Sequence, residues 1–521
     1  MSGWAREVCG EGKKIIRDNE CVEIVGTLVC FKWIAMKQRI RWKTKQWRQL
    51  RHSLSQLHKH HPQMKKHQKV EPKKKAEGPA RLVRKLKRIQ IYRARLNPVK
   101  LKKLKLETVK HALRKKISSY LLTDPDSPLN IDQIYEMKFN SQGRIIIPAN
   151  FSVTENPKQS YETLQRLVSS LLLEEYDTLI LDYNGCHNVE LGTQVLQDII
   201  LTDFIEFKRR LNKKNKGLLS HFTKNFRAEH IFDESVSKMS FSVGSPVTLK
   251  IQEFQYNDVE KSKLRIHDES TFAKLKRTSA EETELEITSL CEYVVNSLLQ
   301  VDRELSDDDI ESLYDVIGEA LVNADDHSTT KYRFSIGYFE KKKIEDKEVG
   351  LFKLAILNLG RTIYQKFHDQ DCPNKKHVER MRQLSDKYTQ NRWFRPREFE
   401  EETLWTLYAL QDGVTSKKEK RGSGTISIIE NFFKMKGNDD SDNISRMMIV
   451  SGSACIKFDG TYKIQKKTDE NGEPMSVMTF NKSGNIEDKP DDAYVYSNDS
   501  FFPGTLISVT LLFDKLETNE N

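Results

Sequence analysis

Apolar positions recur along this chain with two different periods, and the changes from one to the other mark out its parts. "GRIIIPANF" and "YDTLILDYNGC" are short runs rich in Ile and Leu, which predict buried strands. "YETLQRLVSSLLLEE" and "LGTQVLQDIILTDFIEFKRRL" instead repeat at helical spacing. Strand and helix alternate through residues 131–235, which predicts a small α/β domain. From 236 to 285, "MSFSVGSPVTLKIQEF" predicts a strand-like connector followed by charged sequence, and a helical period returns at "AEETELEITSLCEYVVNSLLQVD". Ser306 followed by three aspartates predicts a helix start, a hydroxyl cap with acids at the positive end of the helix dipole.

From there Ile310, Leu313, Ile317, Ala320, Leu321 and Ala324 form one apolar stripe, while Glu319, Asn323 and His327 fall four residues apart on a second, polar one. Such a polar stripe is also what any solvated helix face presents. Three further segments follow in order. "LFKLAILNLGRTIYQKF" is an apolar strand running into Asn358, Gly360 and Thr362. "DGVTSKKEKRGSGTISIIENFF" is a basic loop ending in Gly422, Ser423 and Gly424 before an apolar helix, and "PGTLISVTLLF" predicts a closing strand after Gly504 and Thr505.

Composition changes the picture at the N-terminal end. Residues 31–116 hold 30 Lys or Arg against three acids, Glu71, Glu77 and Glu107, in a chain whose net charge is +11. Residues 36–117 therefore predict a basic helical arm for nucleic acid, with docking on the chain's own acidic body as the competing reading. Trp42, Trp47 and Tyr92 lie among these cations and suit stacking on unpaired bases, which favours RNA or single strands. Met36 opens this basic sequence and is a candidate natural start, with residues 1–35 upstream of it. Seven scattered cysteines without a CxxC pair predict neither a disulfide framework nor a zinc site and fit a reducing cytoplasm. No apolar run reaches the ~18–20 residues of a membrane span.

Two resemblances draw on these segments. "LILDYNGCHNVELGTQVL" resembles the STAS domain of bacterial anti-sigma-factor antagonists, with Leu181 and Asp182 at the strand end. Leu191 stands where that family carries its phosphorylatable Ser, so no phosphoswitch is expected there. Residues 286–515, with "EALVNADDH", "ILNLGRTI" and "KRGSGT" in order, resemble the GHKL or Bergerat-fold ATPases, which include gyrase B subunits, mismatch-repair ATPases, histidine kinases and anti-sigma-factor kinases.

The second resemblance implies an α/β sandwich of helices on a mixed sheet, so that the whole chain combines α/β and α+β parts. It implies ATP and Mg²⁺, with Asn323 as the metal ligand, Glu319 as the residue acting on the attacking water, and His327 near phosphate. Asn358 stands where the family's Asp accepts a hydrogen bond from adenine, and Thr362 replaces the second glycine of that box. Gly360 and Thr505 would line the nucleotide, and Gly422, Ser423, Gly424 and Thr425 would meet its phosphates at a helix N-terminus. Lys417 and Arg421 would belong to a lid. A nucleotide-driven switch in bacterial regulation or phage defence is the reading that follows, with a protein partner or homodimer as its output. An anti-sigma-like serine kinase and a non-hydrolysing nucleotide sensor are the alternatives. A histidine kinase would need His267 as its phosphoacceptor.

Overall fold

A computed structural model of the chain describes residues 21–24, 97–113, 116–214, 220–268, 277–327, 330, 332–344, 347–390, 398–414, 424–436, 444–468 and 474–514. Most of the basic arm lies outside these residues.

The N-terminal half is built from β1 (Cys21–Ile24), α1 (Pro98–Leu113), α2 (Ser119–Thr123), α3 (Ile131–Met137), β2 (Arg144–Ile146), β3 (Asn150–Phe151), α4 (Pro157–Leu172), β4 (Thr178–Asp182), β5 (Asn188–Val189), α5 (Leu191–Lys214) and β6 (Asn225–Glu229). Strands β2, β4 and β6 are parallel neighbours, β1 pairs antiparallel with β6 at the edge, and β3 and β5 form a separate parallel pair. The alternation expected for 131–235 is present. Two boundaries differ from the sequence reading. β1 lies upstream of Met36, so residues ahead of that candidate start contribute a strand. The arm's C-terminal end belongs to the core: Asn97 caps α1 by accepting from the amides of Val99 and Lys100, Pro98 takes the first helical position, and Leu106, Val109 and Leu113 are buried. Even the Lys105 ammonium turns inward, donating to the Leu173 carbonyl at the end of α4 at 3.1 Å.

The expected strand-like connector is helical where it follows this half. α6 (Glu234–Ser242) is capped by the Asp233 carboxylate and buries Val236, Met239 and Ser240, and α7 (Ser245–Thr248) follows at Gly244. Its serines and β-branched residues suit a strand, yet the cap and the three-to-four-residue spacing of buried positions make a helix the better fit. Among the described residues of this region, only β7 (Val259–Asp268) is a strand.

The C-terminal half continues with α8 (Ser279–Leu299), α9 (Asp307–His327), β8 (Tyr332–Ile344), β9 (Lys347–Leu359), α10 (Ile363–His368), α11 (Lys375–Thr389), α12 (Glu401–Ala409), α13 (Gly424–Lys436), β10 (Arg446–Phe458), β11 (Gln465–Thr468), β12 (Pro474–Val477) and β13 (Val495–Asp514). Five strands join in the order β10-β13-β9-β8-β7. Every neighbouring pair is antiparallel, which corrects the expected mixed sheet. The strands follow one another as long hairpins or cross between helices in alternating directions, so no parallel crossover arises. β11 and β12 make a separate hairpin.

Both faces of this sheet are buried. On one, Phe352, Leu354, Ile356, Val509 and Leu511 pack under α8, α9 and the helices after them. On the other, Phe334, Ile336, Leu357, Met448 and Leu506 share one core with the N-terminal half. At Gly192, in the first turn of α5, the halves pack closely, since a Cβ there would lie 2.8 Å from the Leu506 side chain. Among the described residues no helix is long and apolar enough to cross a membrane.

Candidate functional site

The Ser306 start of α9 forms as its sequence predicts. The hydroxyl accepts from the Asp309 amide at 3.2 Å and donates to the Asp309 carboxylate at 2.6 Å, with Asp307 and Asp308 alongside in the first turn. Leu313, Val316, Ile317, Ala320 and Leu321 bury the inner stripe, whereas Ile310 is 37% exposed. Along the other side lie Glu319 and Asn323, both partly buried. Neither side chain makes a hydrogen bond among the described residues. Burial raises the Glu319 pKa above its ordinary value, and the charges of Asp412 and Asp315 add to it. Asp412 is held in place by the Ser476 amide, which donates to it at 3.1 Å. His327 ends the helix, and its side chain lies outside the described residues.

Beneath the last turns of α9 runs a seam formed by β9 and β13. Asn358 is 1% exposed and committed at both ends of its amide: Nδ2 donates to the Ala324 carbonyl at 2.5 Å, and Oδ1 accepts from the Thr505 amide at 2.9 Å. Gly504 permits this closeness, with φ at +149° and space so tight that a Cβ there would lie only 2.1 Å from the Asn358 carbonyl oxygen. Gly360 has φ at +140° and donates its amide to Pro503 at 3.1 Å. Thr362 caps α10 in a reciprocal pair with Gln365 and is fully buried. Thr505 shares a 3.0 Å hydroxyl contact with Ser451, whose oxygen also accepts from the Ile363 amide at 2.9 Å. The sequence-predicted Asn358, Gly360, Thr362 and Thr505 are thus brought together with the end of α9. In this arrangement Asn358 is a brace between elements, with its polar atoms facing protein.

α13 begins at Gly424 and packs along α9, where the Ser312 hydroxyl donates to Asn431 at 3.1 Å. Lys417, Arg421, Gly422 and Ser423 lie outside the described residues, as does the Thr425 side chain. Among the described residues no group of three His, Cys, Asp or Glu side chains could hold a metal ion. Cys186, Cys291, Cys372 and Cys455 are buried free thiols.

The largest polar feature near the site escaped the sequence reading. Arg333 on β8 is fully buried and ties three elements together. Its guanidinium donates to the Leu321 carbonyl at 2.8 Å, to Asp325 of α9 at 2.5 Å, to Glu286 of α8 at 2.6 Å and to His267 Nδ1 of β7 at 3.0 Å. Burial acts to raise the Glu286 pKa, but the His267 and Ser335 hydrogen bonds and the Arg333 charge outweigh it and hold the carboxyl below its ordinary range. The signal was present as an arginine inside the apolar run "YRFSIGYF", but its partners are 8 to 66 residues away in sequence. His267 is 5% exposed, with its second ring nitrogen 3.0 Å from the Ser279 hydroxyl, so both nitrogens are occupied and neither can take a phosphoryl group in this conformation.

Compared with known proteins, the chain matches no family model, no curated protein and no solved structure.

Proposed function

We propose that the C-terminal half is a GHKL-type ATPase that binds ATP and Mg²⁺ against α9 and works as a nucleotide-driven switch, while the basic arm binds nucleic acid. One observation carries this reading. Among the described residues, Glu319 and Asn323 stand one turn apart without hydrogen-bond partners, beside a seam in which Asn358, Ser451 and Thr505 are committed.

The groups present fit the nucleotide and metal in part. The Asn323 amide oxygen is a free, partly buried neutral ligand of the kind Mg²⁺ accepts beside phosphate oxygens and water. Bound Mg²⁺ would supply charge neutralisation at the phosphates. Glu319 would take the proton of the attacking water, and its raised pKa makes it a stronger base than an ordinary glutamate. Gly360 would let the backbone approach a ligand closely at the β9 end, and the first turn of α13, with Gly424 and Thr425, would offer amides to phosphates. Recognition of the base would fall to groups other than the enclosed Asn358 amide. That enclosure favours a second reading, a module that senses a nucleotide without adenine selectivity or turnover.

Phosphate release from ATP by the full chain separates the two. Glu319→Ala is expected to keep Mg²⁺-dependent ATP binding and lose at least about 10² of the rate, while Asn323→Ala loses the binding. Equal turnover in wild type and Glu319→Ala would remove the enzyme reading. For the arm, replacing the seven cations of 81–95 by Gln should weaken RNA binding and flatten its salt dependence by up to about one unit of slope per lost phosphate contact. Unchanged binding would leave the arm as an internal clamp.

A further inference from the structure

The sheet face that meets the N-terminal half changes character along its length. Toward one end it is apolar, with Ile336, Leu357 and Leu506 in the shared core. Toward the other end the same face carries Lys342 on β8, Lys353 on β9, Arg446 on β10, and Ser508 and Thr510 on β13. Together with Glu190 at the start of α5, these enclose a cavity of about 190 Å³ between the halves. That is below the roughly 300–1,000 Å³ of cofactor-sized sites and suits a molecule of a few heavy atoms.

The charges around this cavity are unevenly balanced. Arg446 is paired with Glu155. The Glu190 carboxylate is taken up by hydroxyls, from Ser152 at 2.8 Å, Thr154 at 2.9 Å and Thr193 at 3.0 Å. Lys342 has Glu340 at 3.5 Å. Lys353 has no carboxylate within ion-pair distance among the described residues, and its ammonium donates only to neutral oxygens, Asn188 Oδ1 at 3.1 Å and the Val189 carbonyl at 3.3 Å. Burial lowers its pKa to about 8, repulsion from Lys342 and Arg446 adds to the fall, and the more distant Glu190 and Glu340 oppose it. The Ser508 and Thr510 hydroxyls make no hydrogen bond among the described residues. A partly buried ammonium without a counter-charge among the described residues is costly, and two idle hydroxyls beside it complete a donor set for an anion with several oxygen acceptors.

We propose that this cavity is a binding site for a small oxyanion, a phosphate or short carboxylate, held by Lys353 and Lys342 with Ser508 and Thr510 as hydroxyl donors. Such a ligand would bridge β8, β9 and β13 to the N-terminal half. Lys353 lies five residues from Asn358 on the same strand, about 17 Å at strand spacing, and on the opposite face. The site is therefore separate from the α9 stripe and does not depend on the ATP reading.

The test is thermal unfolding and isothermal titration of the full chain with inorganic phosphate and with succinate, against chloride at matched ionic strength. A saturable rise in Tm beyond chloride is expected from at least one of the two. Lys353→Met should weaken that binding at least tenfold, and the double change Ser508→Ala with Thr510→Val should weaken it severalfold. No saturable binding overturns the proposal. So does binding that survives both cavity variants, which would put the anion elsewhere, such as on the basic arm. If Lys353→Met does not fold, the double variant decides.

Discussion

Two asparagines on neighbouring elements make opposite use of the same amide. Asn323, on the outer stripe of α9, has no hydrogen-bond partner among the described residues, while Asn358, in the seam beneath it, has one at each end and is closed from solvent. The same contrast separates Glu319, idle and resisting ionisation, from Glu286, locked to Arg333 and held ionised. The seam uses polar groups to fix where α9 sits, and the stripe holds polar groups available for something else. A polar residue near a candidate site is thus informative through its commitments more than through its type.

The strongest way to break this contrast is Arg333→Ala. It would strand Glu286 and Asp325 without their cation, and removing one partner of a buried pair costs about 3–5 kcal/mol. The expected result is a large fall in the denaturation midpoint, with α9 loosened. A fall of under about 1 kcal/mol would mean that the network does not anchor the helix.

Next comes Asn358→Asp. A carboxylate cannot donate to the Ala324 carbonyl, so a buried acceptor is left unsatisfied and stability should drop by about 1–3 kcal/mol. If Asn358 instead served adenine, the same change would leave stability intact and tighten ATP binding. Chemical denaturation and titration on one preparation distinguish the two.

The smallest effect is expected from Glu319→Gln, and its sign is opposite. The folded-state pKa of Glu319 is raised, so as pH climbs past the ordinary glutamate value of ~4.3 the unfolded chain ionises first and gains relative to the folded one. The wild type therefore carries a small stability cost at pH 7–8 that vanishes below about pH 4. Glu319→Gln should raise Tm slightly at pH 7–8, match wild type near pH 4, and reduce turnover. A loss of stability at pH 8 would assign Glu319 to the seam instead of the stripe.

Much of this arrangement was legible from local pattern. The cap at Ser306, the apolar stripe of α9 and the strands at β4, β9 and β13 each follow from residues within a few positions of one another. Local signals failed where competing ones were close. Between 236 and 248 the composition favoured a strand, and an aspartate cap with helical spacing prevailed. Of the site, the polar stripe of α9 could be read but the commitments of Asn358 and Thr362 could not, because each depends on a partner such as Ala324 or Thr505 that a distant strand or helix delivers.

By itself the sequence determined the element periods, the helix cap, the basic arm and the order of the glycine segments, since those depend on spacing, charge and backbone preference along a short stretch. Only the tertiary structure decided that the sheet is antiparallel, that α1 belongs to the core, and that the N-terminal half covers the sheet's second face. It also decided which polar groups meet partners, burying Arg333 among two acids and a histidine while leaving the Lys353 ammonium, among the described residues, with only neutral oxygens as hydrogen-bond acceptors. The physical reason is that burial and ion pairing are set by the chain segments that pack together across long sequence separations, and no local pattern encodes which segments those are.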